Sequence, residues 1–329
     1  MFVSSDLSSV IVDIGTETFK IGYSDKEYPM HYNSSKTFKN DFTSPVQSST
    51  IHNIDSYISL MTSHLPLDTS YLLISENTFE DENIKERILS EVMEKSLASS
   101  LMFSKSSILD TFSYGKTTSI NIVISGGSTQ IVSVVDGYIT CRKKIEYGCE
   151  DISKKYLEKI NKEKIKQKFD SINKNGCIND NNTNEGLLNF KKLEYARFKK
   201  EDFYKKENNI QQFLYLHDKI LKITDYLEDI LQSNSPDRKF DLLNNILISG
   251  GGSLIPNITN LLEKNISEKI SKNNFCIFNQ PSLFHTFFGG AVMGNIGSFK
   301  ALNIGKADYI ECGVNILKRK NYSWVLNKP

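Results

Sequence analysis

The sequence predicts an α/β protein built as two lobes of one plan. Three stretches carry that prediction. VIVDIGTETFKIGY, residues 10–23, reads as a strand, a glycine-containing turn and a second strand. INIVISGGSTQIVSVVDGYIT, residues 120–140, repeats the design, and Asp136-Gly137 supplies a hairpin turn at its far end. NNILISGGGSLIP, residues 244–256, runs a β-branched strand into three glycines ahead of a helix. A paired strand–glycine turn–strand unit, each copy followed by strand and helix material, suggests two lobes of similar build, the alternative on pattern alone being two unrelated glycine-turn hairpins.

The remaining elements follow in order. Residues 31–55 are polar and weakly patterned, and are read as loop. Tyr71 to Ile74 is a short apolar run of the buried-strand kind. Ile84, Ile88, Leu89, Val92 and Met93 fall on one face of a helix. Leu101–Phe103 is the next strand, and Ile108 to Phe112 belongs to a short helix. A helical period runs from Ile152 to Ile172 beside a lysine-rich stretch, read as a solvated face. The Asn-rich segment 173–186 is loop. Ile210 to Leu231 is an amphipathic helix with Ile220, Ile223, Leu227 and Ile230 in one stripe. Phe287 to Ala291 opens a last helix of small and apolar residues.

Composition narrows the class. A chain of 329 residues with 39% hydrophobic and 24% charged residues has material for two packed cores. A formal net charge of +1 supplies no whole-chain basic footprint, so no direct nucleic-acid partner is expected. The five cysteines are scattered without a CxxC pair, which argues for a reducing compartment and against a zinc site. No apolar run approaches the ~18 residues of a membrane span, and MFVSSDLSS lacks the basic start and apolar core of a signal peptide. The expectation is a cytoplasmic protein without membrane insertion.

Four stretches, in order, resemble the actin and actin-related protein family. They are the opening hairpin with Asp13, Gly15 and Lys20; GKTTSINIVISGGSTQIVSVVDGY (115–138); DRKFDLLNNILISGGGSLIPN (237–257); and IGKADYIECGVNILKRK (304–320). The resemblance implies an actin-like bilobal α/β fold around a nucleotide cleft. One lobe would comprise residues 1–113 plus 285–329, with a reduced upper subdomain. The other would comprise residues 114–284.

In that family the first turn's aspartate orders water around Mg²⁺ and its lysine touches the phosphates, which the resemblance assigns to Asp13 and Lys20. Gly15 keeps backbone access and Thr16 offers a hydroxyl. Glu17 stands at a family glycine; an unscreened carboxylate ~4 Å from a phosphate oxygen would cost on the order of 1–4 kcal/mol. Val123 and Gly126 fall at two family aspartates, leaving Asp13 as the only metal-directed carboxylate. Gly126 and Gly127 still offer N–H groups to phosphate. Ser106 and Gln130 stand where the family positions its attacking water. Glu194, Arg197, Lys200 and Glu201 resemble the segment flanking base and ribose, and Gly250, Gly251 and Gly252 the loop under adenine. Leu283 replaces a nucleotide-contacting lysine.

The resemblance therefore implies ATP or ADP, weakly held Mg²⁺ and no hydrolysis. A worn cleft and a shortened upper element suit a subunit that ends a filament rather than extending it. Within the family the pattern resembles the protein at the pointed end of dynactin. The implied partners are an actin-related filament protomer and the other pointed-end subunits. A nuclear subunit of a chromatin-remodelling complex and an ATP-hydrolysing actin-like filament protein are the alternatives. Trp324, the only tryptophan, is expected to pack on its own lobe.

Overall fold

The computed structural model describes residues 8–36, 43–67, 69–152, 214–270, 274–297, 299–320 and 324–326. The first half contains β1 (Val10–Ile14), β2 (Thr18–Tyr23), β3 (His31–Ser34), β4 (Val46–Gln47), β5 (Thr50–Ile51), α1 (Ile54–Thr62), β6 (Tyr71–Glu76), α2 (Glu82–Glu94), β7 (Ser100–Lys105) and α3 (Ser106–Ser113). Then follow β8 (Ser119–Ile124), β9 (Thr129–Val135), β10 (Tyr138–Ile145), α4 (Leu214–Ser233), α5 (Pro236–Leu243), β11 (Ile246–Ser249), α6 (Ile258–Lys269) and β12 (Ile277–Asn279). The chain returns through α7 (His285–Gly294), α8 (Phe299–Leu302), β13 (Ile304–Gly305), α9 (Lys306–Cys312) and α10 (Ile316–Arg319).

The two sheets share one plan. The first has the order β13-β7-β6-β1-β2-β3 and the second β10-β9-β8-β11-β12. In each, an antiparallel meander (β1-β2-β3, β8-β9-β10) leads to two strands that join parallel on the other side of its first strand. Parallel strands buried on both faces read as apolar runs. Accordingly Leu72, Leu73 and Leu101 are fully buried, as are Ile246, Leu247 and Ile248. Two cores form, and the first also takes in Val132, Val134 and Ile139 of the second sheet. One gathers Val10–Val12, Leu72–Ile74 and Leu101–Phe103; the other gathers Ile120, Ile122, Ile246, Ile248 and the α4 stripe Ile223, Leu227, Ile230. Asp136 and Gly137 both take positive φ, 52° and 81°, as a two-residue hairpin turn requires.

Residues 31–55 are not simply loop. They hold β3, β4, β5 and the start of α1. β3, HYNS, has no apolar alternation because it is an edge strand held by backbone pairing to β2. α1 is capped by Asn53, whose side chain accepts the Ser56 N–H, and it buries Ile54, Tyr57, Ile58 and Met61. α7 starts at His285, two residues earlier than expected, and is not the last helix, because α8, α9 and α10 follow. The Ile152–Ile172 pattern beyond Ile152 and the Asn-rich segment lie outside the described residues.

Trp324 packs on the first core as expected, and its indole N–H donates to the Phe103 carbonyl at 2.9 Å. Its carbonyl accepts the Ile139 N–H, tying the tail to β10. The described cysteines, Cys141, Cys149, Cys276 and Cys312, are free thiols. Among the described residues, no helix is long and apolar enough to cross a membrane.

Candidate functional site

The turns β1–β2 and β8–β9 face each other across a cleft between the sheets. Within each turn one N–H closes the hairpin: Gly15 N donates to Thr18 O at 2.9 Å, and Ser125 N to Ser128 O at 3.0 Å. Among the described residues, the N–H groups of Thr16, Glu17 and Gly126 make no hydrogen bond, and all three residues line the cleft. The buried Thr16 Oγ1 also lacks a partner. Free amides converging from two turns form an anion cradle. Behind it, Lys20 Nζ sits 2.9 Å from Asp13 Oδ2, a cross-strand pair set by the Asp13↔Lys20 register.

The two turns also touch. A Cβ on Gly127 would lie 2.6 Å from Thr16 Oγ1 and 2.7 Å from Ser49 N. A Cβ on Gly126 would lie 2.9 Å from Glu17 Cγ. Ser49, from the first sheet's side, bonds Ser125 Oγ at 2.9 Å and accepts from Ser128 Oγ at 2.8 Å. Gln130 Nε2 extends this chain to Ser128 Oγ at 3.3 Å, and Gln130 Oε1 is buried without a partner. Lys36 reaches Glu150 across the same gap at 3.4 Å.

Of the residues expected at the site, Asp13, Gly15, Thr16, Lys20, Gly126, Gly250 and Gly251 line the cleft. Gly250 holds φ +77°, with the Ile124 backbone too close for a side chain, and Gly251 faces Leu283. Gly127 and Gly252 stand behind the wall, packed against Thr16 and Ser49 and against Ile124 respectively. Lys200 and Glu201, with Glu194 and Arg197, lie outside the described residues.

A nucleotide fits the free amides, Lys20 and the glycine wall. A protein-held Mg²⁺ does not fit the described residues. Among them no three His, Cys, Asp or Glu groups converge, and the carboxylate that the family resemblance directs to a metal, Asp13, is already engaged by Lys20.

Two buried polar groups at the cleft escaped the sequence reading. Glu76 Oε1, at the end of β6, lies 3.1 Å from Lys85 Nζ and 2.8 Å from Lys105 Nζ, and each lysine is only 1% exposed. The signal was available: YLLISE and SLMFSK each end an apolar run on a charge, and parallel register pairs Glu76 with Lys105.

The second group joins three chain segments. Asp110 of α3 accepts Ser249 Oγ from β11 at 2.6 Å and Thr286 Oγ1 from α7 at 2.8 Å. Beside it, His285 stacks on Tyr114, rings 5.1 Å apart and 8° from parallel. A lone Asp inside the apolar ILDTF was its sequence trace.

Burial raises the Asp110 carboxyl from 3.8 to about 6, against the opposing bonds from Ser249 and Thr286; Asp13 raises it further and Lys20 lowers it. Burial lowers the His285 imidazole from 6.5 to about 4, with Lys20 pushing the same way. The stability linked to Asp110 is therefore full below about pH 4 and lost as pH rises through about 6. That linked to His285 is full above 6.5 and lost as pH falls through about 4. Each is worth on the order of 3 kcal/mol, so the two nearly cancel between those limits. His285→Gln is expected to unmask a rise in unfolding free energy as pH drops from 6.5 to 4. Asp110→Asn is expected to unmask a fall over the same range. Urea unfolding in steps of pH checks this, and parallel curves for both variants and the parent would contradict it.

Comparison with known proteins follows the same lines. A family profile described as Actin matches residues 4–196 and 182–322. Actin-related protein 4 of Yarrowia lipolytica is 29% identical over 102 residues, covering 30% of this chain and 24% of that protein. Actin-related protein 4 of Oryza sativa subsp. indica is 35% identical over 89 residues, covering 26% of this chain and 20% of that protein, and its subsp. japonica counterpart matches equally. The matches thus take in about a quarter or less of the length of these curated relatives. With two sheets of one plan, a cleft walled by facing glycine turns, and a profile match from residue 4 to residue 322, the chain belongs to the actin family.

Proposed function

We propose that this chain is a non-hydrolysing actin-related subunit of a larger assembly, holding a nucleotide as a structural ligand between its lobes. The observation that carries the reading is the second turn. Val123 and Gly126 supply no carboxylate there, and Ser125 and Ser128 are bonded to Ser49 across the gap. Hydrolysis needs a metal at the phosphates and a positioned water. The candidate water-positioning side chain, Gln130, is instead tied into the serine chain. A ligand bound only by the folded form stabilises it by ~2.7 kcal/mol at a hundredfold excess over Kd, with no chemistry required.

A chromatin-remodelling complex in the nucleus is the preferred assembly. All three relatives compared above carry the name actin-related protein 4, and none is named for dynactin. The pointed-end cap of dynactin, in the cytoplasm, is the second reading. It is favoured by the short route above the cleft, where β3 ends at Ser34 and α1 begins at Ile54. Capture of the tagged full chain from its native cells, followed by mass spectrometry, separates the two. Co-purification with a remodelling ATPase supports the first, and with dynactin subunits the second. A single-turnover assay with Mg²⁺ and ATP is expected to show no hydrolysis above background; sustained turnover would overturn the non-catalytic reading.

A further inference from the structure

We infer that the cleft selects a nucleoside diphosphate and rejects the triphosphate, and that Glu17 is the residue that enforces this. The inference deepens the structural-nucleotide reading above and rests on it. A diphosphate needs one anion cradle, and the first turn provides it. The free N–H groups of Thr16 and Glu17 and the Lys20 ammonium stand together on the cleft wall. A phosphate chain that extends from that cradle to the facing turn would meet the free Gly126 N–H there.

That space is filled. The Glu17 side chain crosses to Gly126, with its Cγ 2.9 Å and its carboxyl carbon 3.5 Å from where a Gly126 Cβ would sit. Among the described residues no hydrogen bond or ion pair holds the Glu17 carboxylate, which turns like charge toward an incoming terminal phosphate. Beside it the turns are in contact through Thr16 and Gly127, and Ser49 locks them by its bonds with Ser125 and Ser128. Steric exclusion and like-charge repulsion act at the same point. A terminal phosphate could enter only by displacing Glu17 and parting the serine chain.

The serine chain and Glu17 make separable contributions. Ser49 restrains the distance between turns, whereas Glu17 supplies both bulk and charge. Glu17→Gln keeps the bulk and removes the charge; Glu17→Gly removes both. The first variant therefore isolates repulsion, and the difference between the variants isolates filling of the gap.

The test is calorimetric titration of the full chain, stripped of nucleotide, with ADP and with ATP, each with and without Mg²⁺. The parent is expected to bind ADP at least tenfold more tightly than ATP. Glu17→Gly should bring the two within threefold by tightening ATP far more than ADP, and Glu17→Gln should fall between. Thermal unfolding of each variant without nucleotide confirms that it is folded. Equal binding of ADP and ATP by the parent, or a preference for ATP, overturns the inference while the nucleotide reading stands. So does an unchanged ratio in both Glu17 variants. Failure of the parent and of Glu17→Gly to bind either nucleotide overturns the inference together with the reading beneath it.

Discussion

Glu76→Gln is expected to destabilise the protein by roughly 3–5 kcal/mol, the cost of leaving a buried charge without its partner. Glu76 is the buried counter-charge for two ammonium groups, Lys85 and Lys105, each only 1% exposed. Lys85 keeps a partner in the exposed Glu82, at 3.3 Å. Lys105 would keep the Asn77 carbonyl, also at 3.3 Å, and the longer-range attraction of Glu80. Neither residual contact offsets desolvation as a buried carboxylate does. The reverse deletion should be mild. Lys105→Met leaves one buried lysine facing one buried glutamate and replaces a charge by an apolar chain of similar length. Glu80, whose carboxyl is raised chiefly by burial, loses a favourable neighbour in that variant and rises further. Urea unfolding at pH 7 of the two variants checks the asymmetry. Equal losses would mean that the three groups do not act as an unbalanced cluster.

Gly289→Ala is expected to cost on the order of 3 kcal/mol, at the upper end of overpacking penalties. α7 crosses α3 so closely that a Cβ on Gly289 would sit 1.7 Å from the Leu109 carbonyl oxygen and 2.3 Å from its carbon. A side chain could rotate away, but a backbone carbonyl inside a helix cannot. The helices must therefore separate. Separation strains the Thr286–Asp110 bond, which spans the same two helices three residues before the contact. Gly297→Ala is the control, because its Cβ would meet nothing within 4 Å; an effect within ~0.5 kcal/mol is expected there. Loss of stability at Gly289 should be accompanied by weaker nucleotide binding, because α3 and α7 carry residues of the cleft wall, Asp110, His285 and Thr286. Wild-type stability in Gly289→Ala would mean that the two helices are free to move apart.

The extent of the sequence's reach follows from the range of the forces it records. Strands and turns are set by neighbours one to four residues apart, so β1–β2, β8–β9 and the Asp136-Gly137 turn were legible, as was the repeat that makes two lobes. The helical stripe of Ile223, Leu227 and Ile230 was legible for the same reason. β3 was not, since an edge strand held by backbone bonds needs no apolar alternation. α1 was masked by its polar surroundings, although Asn53 caps it and Tyr57 and Met61 anchor it.

By itself the sequence indicated the α/β class and the repeated strand–turn–strand unit, which are matters of local period, and its resemblance to the actin family marked the absence of carboxylates at Val123 and Gly126. Only the tertiary structure placed the Glu17 side chain against Gly126, because a side chain's direction depends on how closely a second turn approaches, and that turn is over a hundred residues away. The same holds for Asp110, which Ser249 and Thr286 reach from 139 and 176 positions along the chain. Such contacts are created when the two sheets close on one another, and no period in the sequence encodes that distance.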